Sequence, residues 1–204
     1  MSKVVRIHEQ GPPEVLRVED LDVGEPGTGE VRVRIEAIGL NRSEAAFRAG
    51  QYPVKPNFPA PMGYEASGLI EALGPEVRDL QVGQRVCVLP TFRLGEYGVY
   101  AERALVPARS VLPAPPDLTP IEAASVWMPC LTAMAIIEIT HATIGDFVII
   151  RAASSSVGLA AIQLANWAGA TPIAASASFS SAVSSSPVSS LIASSSTGGF
   201  PAAA

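Results

Sequence analysis

The chain has 204 residues, of which 48% are hydrophobic and 16% charged, with a net charge of -5. This length and apolar content suffice for one or two compact domains. The acidic balance and the scattered basic residues argue against a nucleic-acid-binding surface. No run of roughly 18 apolar residues is present for a membrane span, and the N-terminus lacks a signal-peptide core, so we expect a cytoplasmic protein without membrane partners.

The residue pattern of the first part of the chain, residues 4–112, predicts short strands separated by glycine and proline. The clearest alternation is in Val31, Val33 and Ile35, which are separated by charged residues. This spacing predicts a half-buried strand with one face in water. Several such strands are typical of an all-β barrel or sandwich.

Two helix starts are visible in the sequence. Asn41 is followed three residues later by a glutamate, and this capping pattern predicts a short helix within the β-rich part. Capping uses the asparagine side-chain oxygen and leaves its NH₂ group free. Thr119 and Pro120 open a second helical region that extends towards Ile139, with a break or kink expected near Pro129.

A β-α-β unit is predicted next. The apolar run FVIIR at residues 147–151 is typical of a strand covered on both faces, and apolar residues at helical spacing follow it up to Trp167. Gly169 ends that helix before the second apolar run, TPIAA. Two parallel strands require such a crossover helix.

The rest of the chain is unusual in composition. No Asp, Glu, Lys, Arg or His follows Arg151, and residues 176–204 are low-complexity serine and alanine, to which we assign no structure. Three explanations stay open: a misassigned stretch, a truncated or frame-shifted reading, and a genuinely shortened protein.

The turn AASSSVG, residues 152–158, lies between the predicted strand and helix. Backbone N–H groups and the helix dipole could receive a pyrophosphate there. Serines occupy the middle of the turn, and only Gly158 remains of a glycine fingerprint. Cofactor binding and an ordinary tight connection both remain open on this pattern alone.

Taken together, several segments resemble the medium-chain dehydrogenase/reductase superfamily, closest to its zinc-independent quinone oxidoreductase-like branch. The segments are GLNRSEAAFRAGQYP, GYEASGLIEALGPEV, VGQRV, GVYAERALVPA, EAASVWMPCLTAMAII, GDFVII and AASSSVGLAAIQLANWAGATPIA. The resemblance implies an α/β chain with a β-rich part, in which a GroES-like β-barrel catalytic domain at residues 1–118 is followed by the start of a Rossmann domain at residues 119–175. The doubly wound parallel sheet of that domain would be incomplete here, and relatives hold the cofactor between the two domains.

The resemblance also bears on metal. Zinc-using alcohol dehydrogenases of the superfamily place a cysteine where this chain has Asn41, a histidine where it has Tyr64 and a further ligand near Met128. The side chains found here do not make a zinc site, so we expect no metal. Cys87 and Cys130 have no second sulfur at ligand spacing and are expected to be reduced thiols.

The resemblance places Asn41 and Tyr52 beside the nicotinamide and substrate, with Tyr64 nearby, and these three are the candidate catalytic residues. Without zinc, such a reductase must polarise its substrate by hydrogen bonds and obtain a proton from a side chain or water. Tyr52 is the first candidate for that donor, although it could equally be a packing residue. The candidate cofactor-binding residues are Thr132, Ala153, Ser155, Ser156, Val157 and Gly158. Thr132 matches a family threonine at the nicotinamide, but a threonine inside a helix often bonds only its preceding turn.

The function implied is hydride transfer from NADPH, with NADH as the alternative cofactor, to a quinone or an activated C=C or C=O bond. A small carbonyl, enone or quinone is the expected partner, and a homodimer is expected if the full nucleotide domain exists. Two alternatives are a zinc-free alcohol or aldehyde reductase and a non-catalytic GroES-like binding or remnant protein. Whether these 204 residues are active as an enzyme stays open.

Overall fold

The computed structural model describes residues 1–175, and the Ser/Ala segment at residues 176–204 lies outside the described part. The chain divides into two compact units, Met1–Ile139 and Thr140–Ala204. No helix within residues 1–175 is both long and apolar enough to cross a membrane.

The first unit is built on antiparallel strands. They are β1 (Ser2–Ile7), β2 (Leu16–Leu21), β3 (Glu30–Gly39), β4 (Ala60–Pro61), β5 (Glu65–Leu73), β6 (Arg85–Val88), β7 (Arg103–Pro107) and β8 (Val111–Pro113). One sheet has the order β2-β1-β4, and the other has the order β7-β3-β5-β6-β8. The predicted β-rich architecture is confirmed.

The alternation predicted for β3 is confirmed. Val31 and Val33 are fully buried, whereas Arg34 and Glu36 are exposed. The side chains of Val31 and Val33 pack with those of neighbouring strands in one apolar cluster that also includes Ile70, Val86 and Val106. A second cluster contains the buried residues Ile7, Phe47, Ala60, Met62 and Leu94.

Three helices accompany these strands: α1 (Arg42–Arg48), α2 (Pro120–Ser125) and α3 (Trp127–Thr140). The predicted starts of α1 and α2 are confirmed. At α2, the N–H of Thr119 donates to Glu122 Oε2 at 2.8 Å, and the N–H of Glu122 donates to Thr119 Oγ1 at 3.3 Å. The expected break falls at Val126, so that Pro129 lies in the first turn of α3, where its missing N–H is tolerated.

Helix α2 packs against β3 and β5. The hydroxyl of Ser67 on β5 donates to the carbonyl of Pro120 at 2.6 Å, and Gly39 on β3 leaves room for the helix. These contacts explain why α2 belongs to the first compact unit, whereas the predicted domain boundary lies before it, after residue 118. The boundary between a GroES-like and a Rossmann domain after residue 118, which the family resemblance implies, stays a prediction.

The second unit contains β9 (Phe147–Arg151), α4 (Ser156–Trp167) and β10 (Thr171–Ala175), with the two strands paired in parallel. The predicted β-α-β unit is thus confirmed, and Gly169 ends the connection from α4 with a φ of 82°. The expectation that β9 is covered on both faces is not met within residues 140–175. Phe147 and Ile149 are 71% and 70% exposed, because β10 is the only strand beside β9 in the described part.

Gly39 provides a test of the packing of α2 on the sheet. A Cβ at this position would lie 2.3 Å from the carbonyl oxygen of Ala124 and 2.4 Å from Cγ of Glu65. We therefore expect Gly39→Ala to lower the free energy of unfolding by about 1–3 kcal/mol through overpacking. Urea denaturation measures the change.

Gly27→Ala is the matched control, because a Cβ there meets only the flexible side chain of Glu30, at 3.2 Å. Equal stability losses in the two variants would contradict the close approach described for Gly39.

Candidate active site

The candidate catalytic residue Asn41 caps helix α1 and is held by two glutamates. Its backbone N–H donates to Oε2 of Glu44 at 2.6 Å, which forms the predicted capping box. Its side-chain Nδ2 donates to Oε1 of Glu65 at 3.1 Å. The expectation that the NH₂ group of Asn41 is free is therefore wrong, because Glu65 from the neighbouring strand β5 accepts one of its two protons.

Glu65 also connects to helix α3. Its Oε2 accepts a hydrogen bond from the backbone N–H of Met128 at 2.7 Å. The side chain is buried, with 2% of its surface exposed. Burial raises the pKa of Glu65, and the hydrogen bonds from Met128 and Asn41 lower it. Glu65 thus joins β5, α1 and the start of α3 through one carboxyl group.

Glu44 is the second buried carboxyl group at this site, and it is also 2% exposed. Burial raises its pKa to about 7, against the lowering effects of the Asn41 N–H and the Tyr100 hydroxyl. The charge of Glu65 raises the pKa further. A carboxyl group with this pKa changes its charge near neutral pH.

Tyr52 and Tyr64 pack against the same apolar cluster, which contains Phe47. Tyr64 packs on both apolar clusters and meets the ring of Phe92 edge to face, with centroids 5.4 Å apart. Tyr52 packs against Phe47 with a centroid distance of 6.5 Å. Burial raises the pKa of the Tyr64 hydroxyl, and nearby Tyr52 and Glu44 raise it further.

The structure thus brings together Asn41, Tyr52 and Tyr64, and it adds Glu44, Glu65 and Tyr100, which the sequence interpretation did not assign to the site. Glu44 was recognised only as a capping residue, and Tyr100 was not singled out. The pKa of Tyr100 is raised, chiefly by burial and by the adjacent Glu44. No spacing in the sequence indicates that Tyr100, far along the chain, lies beside α1.

Thr132 lies within α3. Its hydroxyl donates to the carbonyl oxygen of Met128 at 2.8 Å, as expected for a threonine that bonds its preceding turn. The hydroxyl oxygen keeps the capacity to accept a hydrogen bond. A contact between Thr132 and the nicotinamide stays a prediction.

In the second unit, the turn between β9 and α4 has the geometry of a helix start. Ser155 caps α4, since its Oγ accepts from the N–H of Gly158 at 3.0 Å. A Cβ on Gly158 would lie 2.5 Å from the carbonyl oxygen of Ala152, so only glycine allows this close approach. Ser156 and Val157 occupy the first helical turn, where N–H groups have no preceding helical carbonyl. Buried Ala153 donates its N–H to the carbonyl of Ala175 at 3.1 Å.

Within residues 1–175, no group of three or more His, Cys, Asp or Glu side chains could hold a metal ion. Cys87 is buried and Cys130 is half-buried, and both are free thiols. The expectation of a zinc-free site stays a prediction.

Residues 27–116 match the family model of the alcohol dehydrogenase GroES-like domain. The chain is 36% identical over 172 residues to a 2-haloacrylate reductase of a Burkholderia species, and 35% identical over 170 residues to a quinone oxidoreductase of Pseudomonas aeruginosa. Residues 27–116 thus form an alcohol dehydrogenase GroES-like domain. The family prediction and the mixed α/β fold class are confirmed.

The solved structures agree with this assignment. The quinone oxidoreductase of Escherichia coli in complex with NADPH superposes with a TM-score of 0.75 at 26% identity, covering 84% of this chain and 52% of that one. The matches to the Burkholderia and Pseudomonas proteins cover 82% and 83% of this chain, but 50% and 51% of the relatives. The chain thus spans about half the length of the curated relatives that it matches.

The buried carboxyl group of Glu44 predicts a pH-dependent stability. Its pKa is about 7 in the folded protein and near the ordinary 4.5 in the unfolded chain. Between these values the folded protein keeps a proton that the unfolded chain releases, so the free energy of unfolding falls as pH rises. The stability that protonated Glu44 contributes is complete below about pH 4.5 and is lost above about pH 7.

Glu44→Gln isolates this effect, because glutamine retains a capping oxygen and does not titrate. Urea denaturation of both proteins from pH 4.5 to 8 should show that the wild type loses up to about 3 kcal/mol relative to the variant. Parallel pH profiles for the two proteins would overturn the assignment.

Proposed function

We propose that the chain carries out, or forms part of an enzyme that carries out, NADPH-dependent reduction of a quinone or an activated C=C or C=O bond without zinc. The observation that carries this proposal is the group of hydrogen-bond donors, Asn41, Tyr52 and Tyr64, around a buried carboxyl pair in a GroES-like domain. Such donors can polarise a carbonyl oxygen in the absence of a metal. The names of the relatives support the same reaction class.

The cofactor fits the second unit. The start of α4 presents N–H groups and the positive end of the helix dipole, and Gly158 allows a close approach of the backbone. We assign the pyrophosphate to Ala153, Ser155, Ser156, Val157 and Gly158, and we assign Thr132 to the nicotinamide. When bound, the dihydronicotinamide supplies a hydride. NADPH is preferred over NADH because the quinone oxidoreductase of Escherichia coli has been solved with it.

The substrate side of the site is assigned to the first unit. Asn41 donates to the substrate oxygen, and Tyr52 is the candidate donor of the proton that completes the reduction. Tyr64 packs between the two apolar clusters and lies close to both Tyr52 and Glu44. The desolvated surroundings strengthen each hydrogen bond to the developing negative charge.

Pairing as a homodimer, if the full nucleotide domain exists, rests on the resemblance and completes the proposal. The cytoplasmic location expected from the sequence stays a prediction. A zinc-free alcohol or aldehyde reductase is the alternative activity. Substrate profiling distinguishes the two, because only the proposed activity includes turnover of quinones or enones with NADPH.

The start of α4 can be tested with Ser156→Asp. A carboxylate at the first helical position interacts favourably with the helix dipole, so the fold should keep its stability. The same charge repels a pyrophosphate, and we expect NADPH to bind at least about 10-fold more weakly. Fluorescence titration of NADPH with the purified full chain measures the affinity, and thermal unfolding measures the stability.

Gln163→Glu is the matched control, because it adds the same charge to an exposed position farther along α4. Its NADPH affinity should stay close to that of the wild type. Equal weakening in both variants would assign the effect to net charge, and an absence of NADPH binding by the wild-type chain would refute the cofactor assignment.

A further inference from the structure

Glu44 and Glu65 both bind Asn41, but at different atoms. Glu44, on the same helix, accepts the backbone N–H of Asn41 at 2.6 Å, and Glu65, on β5, accepts its side-chain Nδ2 at 3.1 Å. Both carboxyl groups are 2% exposed. Burying two carboxyl groups beside each other is costly, and nothing in the fold of α1 requires the second one.

The contacts of Glu65 define the orientation of the Asn41 amide. Oε1 of Glu65 accepts from Nδ2 of Asn41, so the NH₂ group of Asn41, and not its carbonyl oxygen, faces Glu65. Rotation of Glu65 is opposed by the bond from the Met128 N–H to its other oxygen, at 2.7 Å. One N–H of the Asn41 side chain is therefore engaged, and the second N–H remains available to a ligand.

We propose that Glu65, which holds the side-chain amide of Asn41, and Glu44, which holds its backbone N–H, are positioning residues that direct the second side-chain N–H to the carbonyl oxygen of the substrate. This inference rests on the proposed function and specifies its substrate as a carbonyl-bearing acceptor. A donor fixed in advance stabilises negative charge on that oxygen without reorganisation during hydride transfer. With the opposite amide orientation, the oxygen of Asn41 would meet the carboxylate of Glu65 and repel it.

Glu44 adds a dependence on pH to this arrangement. The groups that face its carboxyl are the Asn41 N–H, the Tyr100 hydroxyl, Tyr64 and Glu65. Neutral Glu44 adds no charge beside Asn41. When Glu44 ionises, a negative charge appears close to Asn41 and opposes the charge that develops on the substrate oxygen. Reduction of the carbonyl substrate should therefore slow as pH rises through the titration of Glu44.

The orientation of the amide can be tested by NMR on the full chain without cofactor or substrate. In Glu65→Gln, the glutamine oxygen can accept from Met128 only if its NH₂ group faces Asn41, which reverses the Asn41 amide. We expect one of the two side-chain NH₂ protons of Asn41 to be shifted downfield in the wild type by its hydrogen bond to Glu65, and we expect this shift to be lost in Glu65→Gln. Unchanged Asn41 signals in a folded Glu65→Gln protein would overturn the proposal.

A double-mutant cycle distinguishes positioning from an independent structural effect. Asn41→Ala should lower kcat/KM for NADPH-dependent quinone reduction by about 100-fold, as for loss of an oxyanion donor, and Glu65→Gln should lower it by about 10-fold. In the Asn41→Ala background, Glu65→Gln should change kcat/KM less than about 2-fold, because its effect acts through Asn41. Equal losses in both backgrounds would overturn the proposal.

Glu44→Gln provides a second variant that keeps the helix cap. The wild-type pH profile of kcat/KM should fall across neutral pH, and the fall should be absent in Glu44→Gln. Identical profiles would remove Glu44 from the positioning pair. A chain without NADPH binding or turnover would refute the proposed function, while the NMR measurement would still decide the orientation of Asn41.

Discussion

The hydrogen bonds of Glu65 are the interaction on which the candidate site depends. One carboxyl group accepts from the Asn41 side chain on helix α1 and from the Met128 backbone at the start of α3, while its own backbone belongs to β5. A buried carboxylate requires such donors, because burial without them would favour its neutral form. The three elements are therefore held relative to one another by the hydrogen bonds that the buried Glu65 side chain requires.

The sheet makes this arrangement possible at close range. Gly39 stands opposite Glu65 in the register of β3 and β5, and the absence of a side chain at residue 39 admits both the Glu65 stem and the backbone of α2. The polar cluster is consequently enclosed by the apolar residues that pack the sheet and α1. Within this enclosure, the pKa of Glu44 lies near neutrality, and small changes of charge have large electrostatic effects.

The second unit has regular secondary structure, but its sheet is poorly buried within the described residues. Its β-α-β geometry is regular, yet Phe147 and Ile149 of β9 remain largely exposed within the described residues. Local sequence patterns can define such a unit, whereas covering its sheet requires further elements. The matched part of the chain spans about half the length of the curated relatives, and their names supply the enzyme class that the proposed function adopts.

The sequence alone predicted several strands and helices of this protein from short-range signals. The alternation of Val31 and Val33, the capping glutamates at α1 and α2 and the glycine after α4 predicted their elements correctly, because these signals act over a few residues. The family resemblance supplied Asn41, Tyr52 and Tyr64 as site candidates. Only the tertiary structure decided that Glu65 engages the Asn41 amide, that Glu44 is buried beside it and that Tyr100 faces them. Those contacts join residues far apart in the chain, and burial and charge proximity arise only when the strands and helices pack together.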